Sequence, residues 1–332
     1  MKKTMALVMT AAISLLSFAG CASSSAGVKT GLGVTSTLAD SKEVADGKGT
    51  AVGGVTAAAV TVDKDGKIVK CVIDGVRADI EFSDKGELLT PADTQFPSKN
   101  ELKEEYGMKS QSGIGKEWYE QAAAFADYVE GKTVDEVKGI ALDAEGKASD
   151  TELTASVTVH VGDFISAVEK AVANAKDAGA ASDDKLGLSI VSSAEQSASV
   201  GEKDGVAMVY SYFTATTFGK DNKVTSSVID AAQNKLTFDA TGKITSDINA
   251  EQSTKNEKGD AYGMKSQSGI GKEWYEQAAS FADYVKGKTV DEVKGIALND
   301  EGVATDKELV SSVTIHVTAF IDLIEKAAAS AK

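Results

Sequence analysis

Cysteine and histidine are scarce in this chain of 332 residues, which contains two of each. Two thiols cannot build a framework of disulfides, so the fold must be stabilised by hydrophobic cores. A Cys-x-x-Cys-His sequence is absent, which excludes covalent attachment of a c-type haem. His160 and His316 stand far apart in the sequence and indicate no zinc or iron cluster. Any redox role would therefore need an organic cofactor.

Basic residues are also in deficit. The chain has 35 Lys and Arg residues against 50 Asp and Glu residues, which gives a formal net charge of −15. An acidic surface repels polyanions, so the composition argues against nucleic acid or an anionic membrane surface as a partner.

The amino terminus has the pattern of an export signal. Lys2 and Lys3 precede an apolar run from Met5 to Phe18 that is too short for a settled transmembrane helix, and Cys21 follows shortly after in a lipobox-like context. We predict a lipoprotein signal peptide over residues 1–20, a diacylglyceryl anchor on Cys21 outside the cytoplasmic membrane, and a flexible tether over residues 21–28. Cys71 would then lack a disulfide partner. The alternative is an ordinary secretory signal with an incidental cysteine.

The rest of the chain is a tandem duplication. An offset of 156 aligns residues 29–176 with residues 185–332 without a gap, and 45 of 55 positions between Gly107 and Val161 are identical in the second copy. Each copy has an ordinary single-domain length. We therefore predict two homologous domains joined by a short polar linker over residues 177–184.

Within each copy, strand patterns come before helix patterns. In the first copy, β-branched runs flank the turn pair Asp65-Gly66, which predicts a hairpin over residues 58–73. Apolar residues then recur at helical spacing from Trp118, from Val134 and from Val161. This order predicts an α+β fold, with an antiparallel sheet followed by helices in each copy.

Two repeated segments are candidate sites. Asp150 and Ser156 return as Asp306 and Ser312, ahead of an amphipathic helix whose N–H groups could favour an anion; the alternative is ordinary helix capping. A glycine- and serine-rich loop over residues 106–119 returns unchanged over residues 262–275, and it is not a P-loop. Its aromatic residues, Trp118 and Trp274, either face a planar ring or belong to the core.

The segment from Asp150 to Thr158 resembles the flavin-attachment motif of FMN-binding domains. Such domains occur in flavin-carrying components of the sodium-pumping NADH:quinone oxidoreductase and of the Rnf electron-transport complex, where the motif reads roughly Asp-x-x-Ser-Gly-Ala-Thr-x-Thr. On this alignment Ser156 takes the acceptor position and Thr158 the later hydroxyl, and the matching residues of the second copy are Asp306, Ser312 and Thr314. The chain departs from the motif at the serine, which is leucine here, at the glycine, and in having serine as the acceptor.

A lipoprotein with two such domains is similar to the peptide pheromone-encoding lipoprotein family of Gram-positive flavin-based extracellular electron transfer. The resemblance implies two FMN groups, each joined through a phosphoester to Ser156 or Ser312 and flanked by Trp118 or Trp274. A flavin transferase using FAD and magnesium would attach them and release AMP. The protein would then shuttle electrons from a membrane quinol-linked dehydrogenase to soluble flavins or other extracellular acceptors, as a carrier more than an enzyme. The alternatives are a non-redox ligand-binding or surface-antigen lipoprotein and an extracytoplasmic reductase with its own substrate.

Overall fold

The computed structural model describes residues 27–332. The predicted signal peptide, Cys21 and most of the predicted tether lie outside the described residues. None of the helices within residues 27–332 combines the length and the hydrophobicity that a membrane-spanning segment needs.

The first half of the chain forms an antiparallel sheet around one long strand. The strands are β1 (Lys29–Thr37), β2 (Lys42–Ala45), β3 (Lys48–Val62) and β4 (Ile68–Ser83). Strand β3 pairs with β1 and β2 on one edge and with β4 on the other. The pairing of Val62 with Ile68 around Gly66, whose φ is 79°, confirms the predicted hairpin.

The second half repeats this arrangement. A two-residue strand of the first half, β5 (Gln95–Phe96), pairs with the first strand of the second sheet, and the order is then sequential. The remaining strands are β6 (Lys185–Ser193), β7 (Gly205–Phe218) and β8 (Val224–Phe238). Both sheets are followed by helices, as expected for an α+β fold.

Each half has five α-helices among the described residues, and the longest ones match the predicted helical segments. In the first half they are α1 (Lys99–Leu102), α2 (Trp118–Val129), α3 (Val134–Lys138), α4 (Thr151–Thr154) and α5 (Gly162–Ala173). In the second half they are α6 (Lys255–Lys258), α7 (Trp274–Tyr284), α8 (Val290–Lys294), α9 (Lys307–Val310) and α10 (Thr318–Ser330).

The last long helix of each half lies directly against the first strand of its sheet. A Cβ atom added to Gly33 of β1 would stand 2.1 Å from the carbonyl oxygen of Ala167 in α5, and one added to Gly187 of β6 would stand 2.1 Å from that of Ala327 in α10. Only glycine permits this approach of helix backbone to strand backbone.

The two sheets pack face to face and share a hydrophobic core. Ala57 and Ala59 of β3 belong to a buried cluster that includes residues of both halves, whereas Ala58 and Val60 face the helices of the first half. At one end of the shared core the rings of Phe82 and Phe238 stack with their centroids 4.3 Å apart. The layers therefore run helices, sheet, sheet, helices. Strand β3 is buried on both faces over most of its length, and between Ala51 and Val62 its only polar residues are Thr56 and Thr61.

The connection between the halves is packed against them. The Asp184 carboxylate accepts hydrogen bonds from the backbone N–H of Ala181 at 2.8 Å and from the Thr225 hydroxyl at 2.7 Å, and Ala180 is buried. Residues 177–184 therefore adopt a defined conformation that is held by contacts with the rest of the chain.

Candidate functional site

The repeated aspartates are helix caps. Asp150 Oδ1 accepts hydrogen bonds from the backbone N–H groups of Glu152 and Leu153, at 2.8 and 3.4 Å, at the start of α4. Asp306 does the same at the start of α9. These contacts satisfy two orphan N–H groups at each helix start, as the capping interpretation predicts.

The repeated serines follow the short helices. Ser156 lies two residues beyond the end of α4, and α5 begins only at Gly162, so the hydroxyl lies outside the first turn of either helix. This corrects the expectation that the serines lie close to a helix amino terminus whose N–H groups favour an anion. The Ser156 Oγ donates a hydrogen bond of 3.2 Å to the Leu153 carbonyl, and Ser312 donates an equal one to the Leu309 carbonyl. Both serines are partly exposed, and hydroxyl bonds of this length are weak.

A buried glutamine joins the segment after each serine to the glycine- and serine-rich loop. The Gln121 Oε1 accepts the backbone N–H groups of Thr158 at 2.7 Å and Val159 at 3.2 Å, and also the Thr158 hydroxyl at 3.2 Å. Its Nε2 donates to Ser112 Oγ and to the Lys116 carbonyl, both at 3.2 Å.

The second half has the same set of glutamine hydrogen bonds. Gln277 accepts from Thr314 N at 2.8 Å and from its hydroxyl at 3.2 Å, and donates to Ser268 and to the Lys272 carbonyl. Both glutamines are fully buried. Sequence analysis missed them, although a polar residue on the same helix face as Trp118 and Phe125 marks a polar group in the core.

We expect Gln121→Leu to loosen the segment that follows Ser156, because it leaves the N–H groups of Thr158 and Val159 without their acceptor. The free energy of unfolding should fall by about 1–3 kcal/mol. Amide exchange at Thr158 and Val159 should accelerate. Hydrogen exchange and urea unfolding measure both, with Gln111→Leu, an exposed position in the same loop, as the control. Unchanged exchange at these two amides would contradict the role given to Gln121.

The predicted aromatic residues are core residues. Trp118 is 5% exposed and meets Phe164 edge to face at 5.5 Å, and Trp274 is 4% exposed and meets Phe320 in the same way at 5.8 Å. Trp274 has a second role, because it also lines a cavity.

This cavity, of about 670 Å³, lies beside the segment that follows Ser312. Thr314, Ile315 and His316 form one wall, and further lining side chains come from β7, α10 and the start of α6. Its aromatic side chains are Tyr210, Tyr212, Tyr262 and Trp274. Cavities of this size with a few polar groups are typical of small-molecule sites.

Lys255 lies in this cavity wall and is only 3% exposed. Its Nζ lies 4.8, 4.7 and 4.7 Å from the ring centroids of Tyr210, Tyr262 and Trp274, and it donates a hydrogen bond to the Tyr210 hydroxyl. Burial lowers the pKa of Lys255 to about 7 and raises that of Tyr210, since both charged forms are poorly solvated. The cation–π contacts favour the protonated amine.

Sequence analysis also missed Lys255 and its tyrosines. Aligning the two copies at the offset of 156 would have indicated the site. Tyr210 and Tyr212 lie on one face of β7, and the aligned residues of the first half are Gly54 and Thr56. A change from small to aromatic residues on one strand face, within a duplicated pattern, marks a site that differs between the copies.

In the first half, the residues that correspond to Lys255 and its surroundings pack differently. Lys99, which corresponds to Lys255, is half-buried and contacts two rings, those of Tyr106 at 5.0 Å and Trp118 at 4.6 Å. The cavity beside it measures about 210 Å³ and has Asp40 and Asp163 among its lining residues. Thr158 lines another cavity, of about 440 Å³, together with residues that include Ser112, Lys147 and Met108.

Comparison with known proteins gives little further guidance. No protein-family model matches the chain, and no solved structure matches it. A stretch of 41 residues is 58% identical to a chlorophenol reductase of Desulfitobacterium hafniense. That stretch is 12% of this chain and 12% of the other protein, so the chain matches only about an eighth of that relative's length.

Proposed function

We propose that the protein is an extracytoplasmic lipoprotein that carries two covalently bound FMN groups and transfers electrons from a membrane quinol-linked dehydrogenase to extracellular acceptors. One observation supports this most strongly. The chain that follows Ser312, the proposed acceptor, forms a wall of a cavity of about 670 Å³ whose other walls include four aromatic side chains. An isoalloxazine ring is planar, with an apolar dimethylbenzene side and a polar pyrimidine side, so walls that combine aromatic and polar side chains suit it.

The serine side chains fit the proposed attachment. Each hydroxyl is partly exposed and makes one long hydrogen bond, so it can be presented to a transferase. In the reaction, a bond forms between the serine Oγ and the phosphorus of the FMN half of FAD. The diphosphate bond of FAD breaks, AMP leaves, and the hydroxyl proton is lost. The flavin transferase would use FAD as the donor and magnesium as its metal ion.

The residues around each serine would bind and orient the attached flavin. Gln121 and Gln277 fix the threonines two positions after the serines, which limits where an attached group can reach. Trp274, Tyr210 and Tyr212 line the same cavity and would contact a ring bound there. The cofactor would accept and release electrons, while the chain binds and orients it.

The duplication and the predicted lipid anchor suit this proposed role. Two equivalent serines in one chain give two carriers per molecule, and the proposed lipid on Cys21 would keep them near a membrane dehydrogenase.

We expect the full chain, expressed together with a flavin transferase, to gain the mass of two FMN groups and to show flavin absorbance after denaturation and desalting. Chain expressed without the transferase is the matched control and should be colourless. An unshifted mass in both preparations would refute the proposal and favour the non-redox ligand-binding lipoprotein.

A further inference from the structure

The two halves offer different surroundings for a bound ring. The second half has tyrosines where the first has Gly54 and Thr56, and its cavity is about 670 Å³ against about 210 Å³ at the corresponding place. The strand-rich segments that supply part of the cavity walls have diverged between the halves, whereas the loop over residues 106–119 is identical in both. Two attached groups would therefore not be equivalent.

The two halves also differ in how deeply the equivalent lysine is buried. Lys255 is 3% exposed and enclosed by three rings, whereas Lys99 is half-buried and has two. The other titratable groups that line the cavity of the second half, apart from its tyrosines, are exposed: Glu195, His316 and Asp322. Asp230 and Lys258 also interact electrostatically with Lys255 from outside the cavity. Asp230 is buried, which raises its pKa to about 6, and Asp74 is buried with a similar pKa at the corresponding place of the first half, so this carboxyl does not distinguish the halves. Solvent screens exposed charges and leaves a buried cation with the larger effect.

The first half has no comparable buried cation beside its cavity among the described residues. Arg77 lies there, and its guanidinium is exposed and contacts Asp79 at 3.2 Å and Asp40 at 3.9 Å. Asp163, also exposed, adds a further negative charge to the lining. The charges around this cavity are therefore paired or screened.

We propose that Lys255 makes the flavin attached in the second half more readily reduced than the flavin attached in the first half. This inference rests on the proposed function. Uptake of two electrons and one proton leaves the ring system with one more negative charge than before. A buried cation in the cavity wall stabilises that charge, and charge near the ring is a recognised means of tuning a flavin. Electrons would then collect on the second half.

The test uses chains that carry one flavin each. Ser156→Ala leaves the flavin on Ser312, and Ser312→Ala leaves the flavin on Ser156. Each is reduced with dithionite against reference dyes at pH 6, where Lys255, with a pKa of about 7, is mostly protonated. We expect an equilibrium constant for reduction at least tenfold higher for the flavin on Ser312, which is about 30 mV for a two-electron couple.

Substitutions of Lys255 test whether this residue causes the difference between the two reduction constants. Lys255→Met should remove most of the tenfold advantage, and Lys255→Arg, which keeps the charge, should retain it. Lys99→Met, in the chain with its flavin on Ser156, is the matched control and should change the constant less than threefold. If Lys255→Met does not fold, Lys255→Gln replaces it.

Two outcomes overturn the inference alone: equal constants for the two single-flavin chains, or a constant for the flavin on Ser312 that is unchanged in Lys255→Met or Lys255→Gln with the expected flavin mass. Failure of the proposed function is recognised separately, because the mass of the wild-type chain would then show no attached flavin.

Discussion

Replacing Ser156 and Ser312 together by alanine is expected to leave the chain without covalent flavin, and each single replacement should remove one FMN group. The substitution deletes the oxygen that is proposed to form the phosphoester at each site. Mass spectrometry of each variant, expressed with the transferase, counts the attached groups directly.

The structure predicts that these variants fold. Each serine hydroxyl makes a single hydrogen bond of 3.2 Å to a carbonyl. The Leu153 carbonyl also accepts the backbone N–H groups of Ser156 at 3.0 Å and Val157 at 2.8 Å, so it stays satisfied without the hydroxyl. Surface changes of this kind usually alter stability by no more than about 0.5 kcal/mol. Loss of flavin would therefore report on attachment.

Neighbouring hydroxyls supply the controls. Ser311 precedes Ser312, is exposed, and donates its own bond of 3.0 Å to the Glu308 carbonyl. Ser311→Ala should keep both flavins. Thr314→Ala should also keep them, since the backbone bond from Thr314 to Gln277 remains. Loss of a flavin in Thr158→Ala or Thr314→Ala, with the serine variants still loaded, would move the acceptor to the threonine.

The local structure could be predicted from the sequence because its determinants are local. The turn pair Asp65-Gly66 between β-branched runs specifies a hairpin, and the spacing from Trp118 specifies a helix. The capping role of Asp150 follows from its residue type and position. The prediction of two domains over residues 29–176 and 185–332 stays a prediction, with a large core shared between them.

The long-range features could not be predicted in the same way. Packing of sheet on sheet joins residues far apart in sequence, such as Phe82 and Phe238, and no local pattern indicates that pairing. The apolar character of β3 on both faces was the available signal, because a strand with one face in water would alternate. The enclosure of Lys255 likewise depends on rings contributed by β7, α7 and the loop before it.

The shared core leads to the second large effect: Phe238→Ala is expected to lower the free energy of unfolding by about 3–5 kcal/mol. Phe238 is fully buried and stacks on Phe82 with ring centroids 4.3 Å apart. Its ring also fills the space over Gly205, where an added Cβ would stand 2.4 Å away. Truncation leaves a cavity between the sheets that neither backbone can close without moving.

Because Phe82 belongs to the first half, the loss of stability should extend to both halves. Each half contains one tryptophan, so Trp118→Phe and Trp274→Phe give chains whose fluorescence reports on one half alone. Urea unfolding without flavin should show equal falls in midpoint for both reporters when Phe238→Ala is added, and almost none when the exposed Leu89→Ala is added instead. A fall seen only by Trp274 would mean that the halves unfold independently. Equal falls mean that the core between the sheets holds both proposed flavin sites in one cooperative unit, so that their separation is set by the fold and not by the connection over residues 177–184.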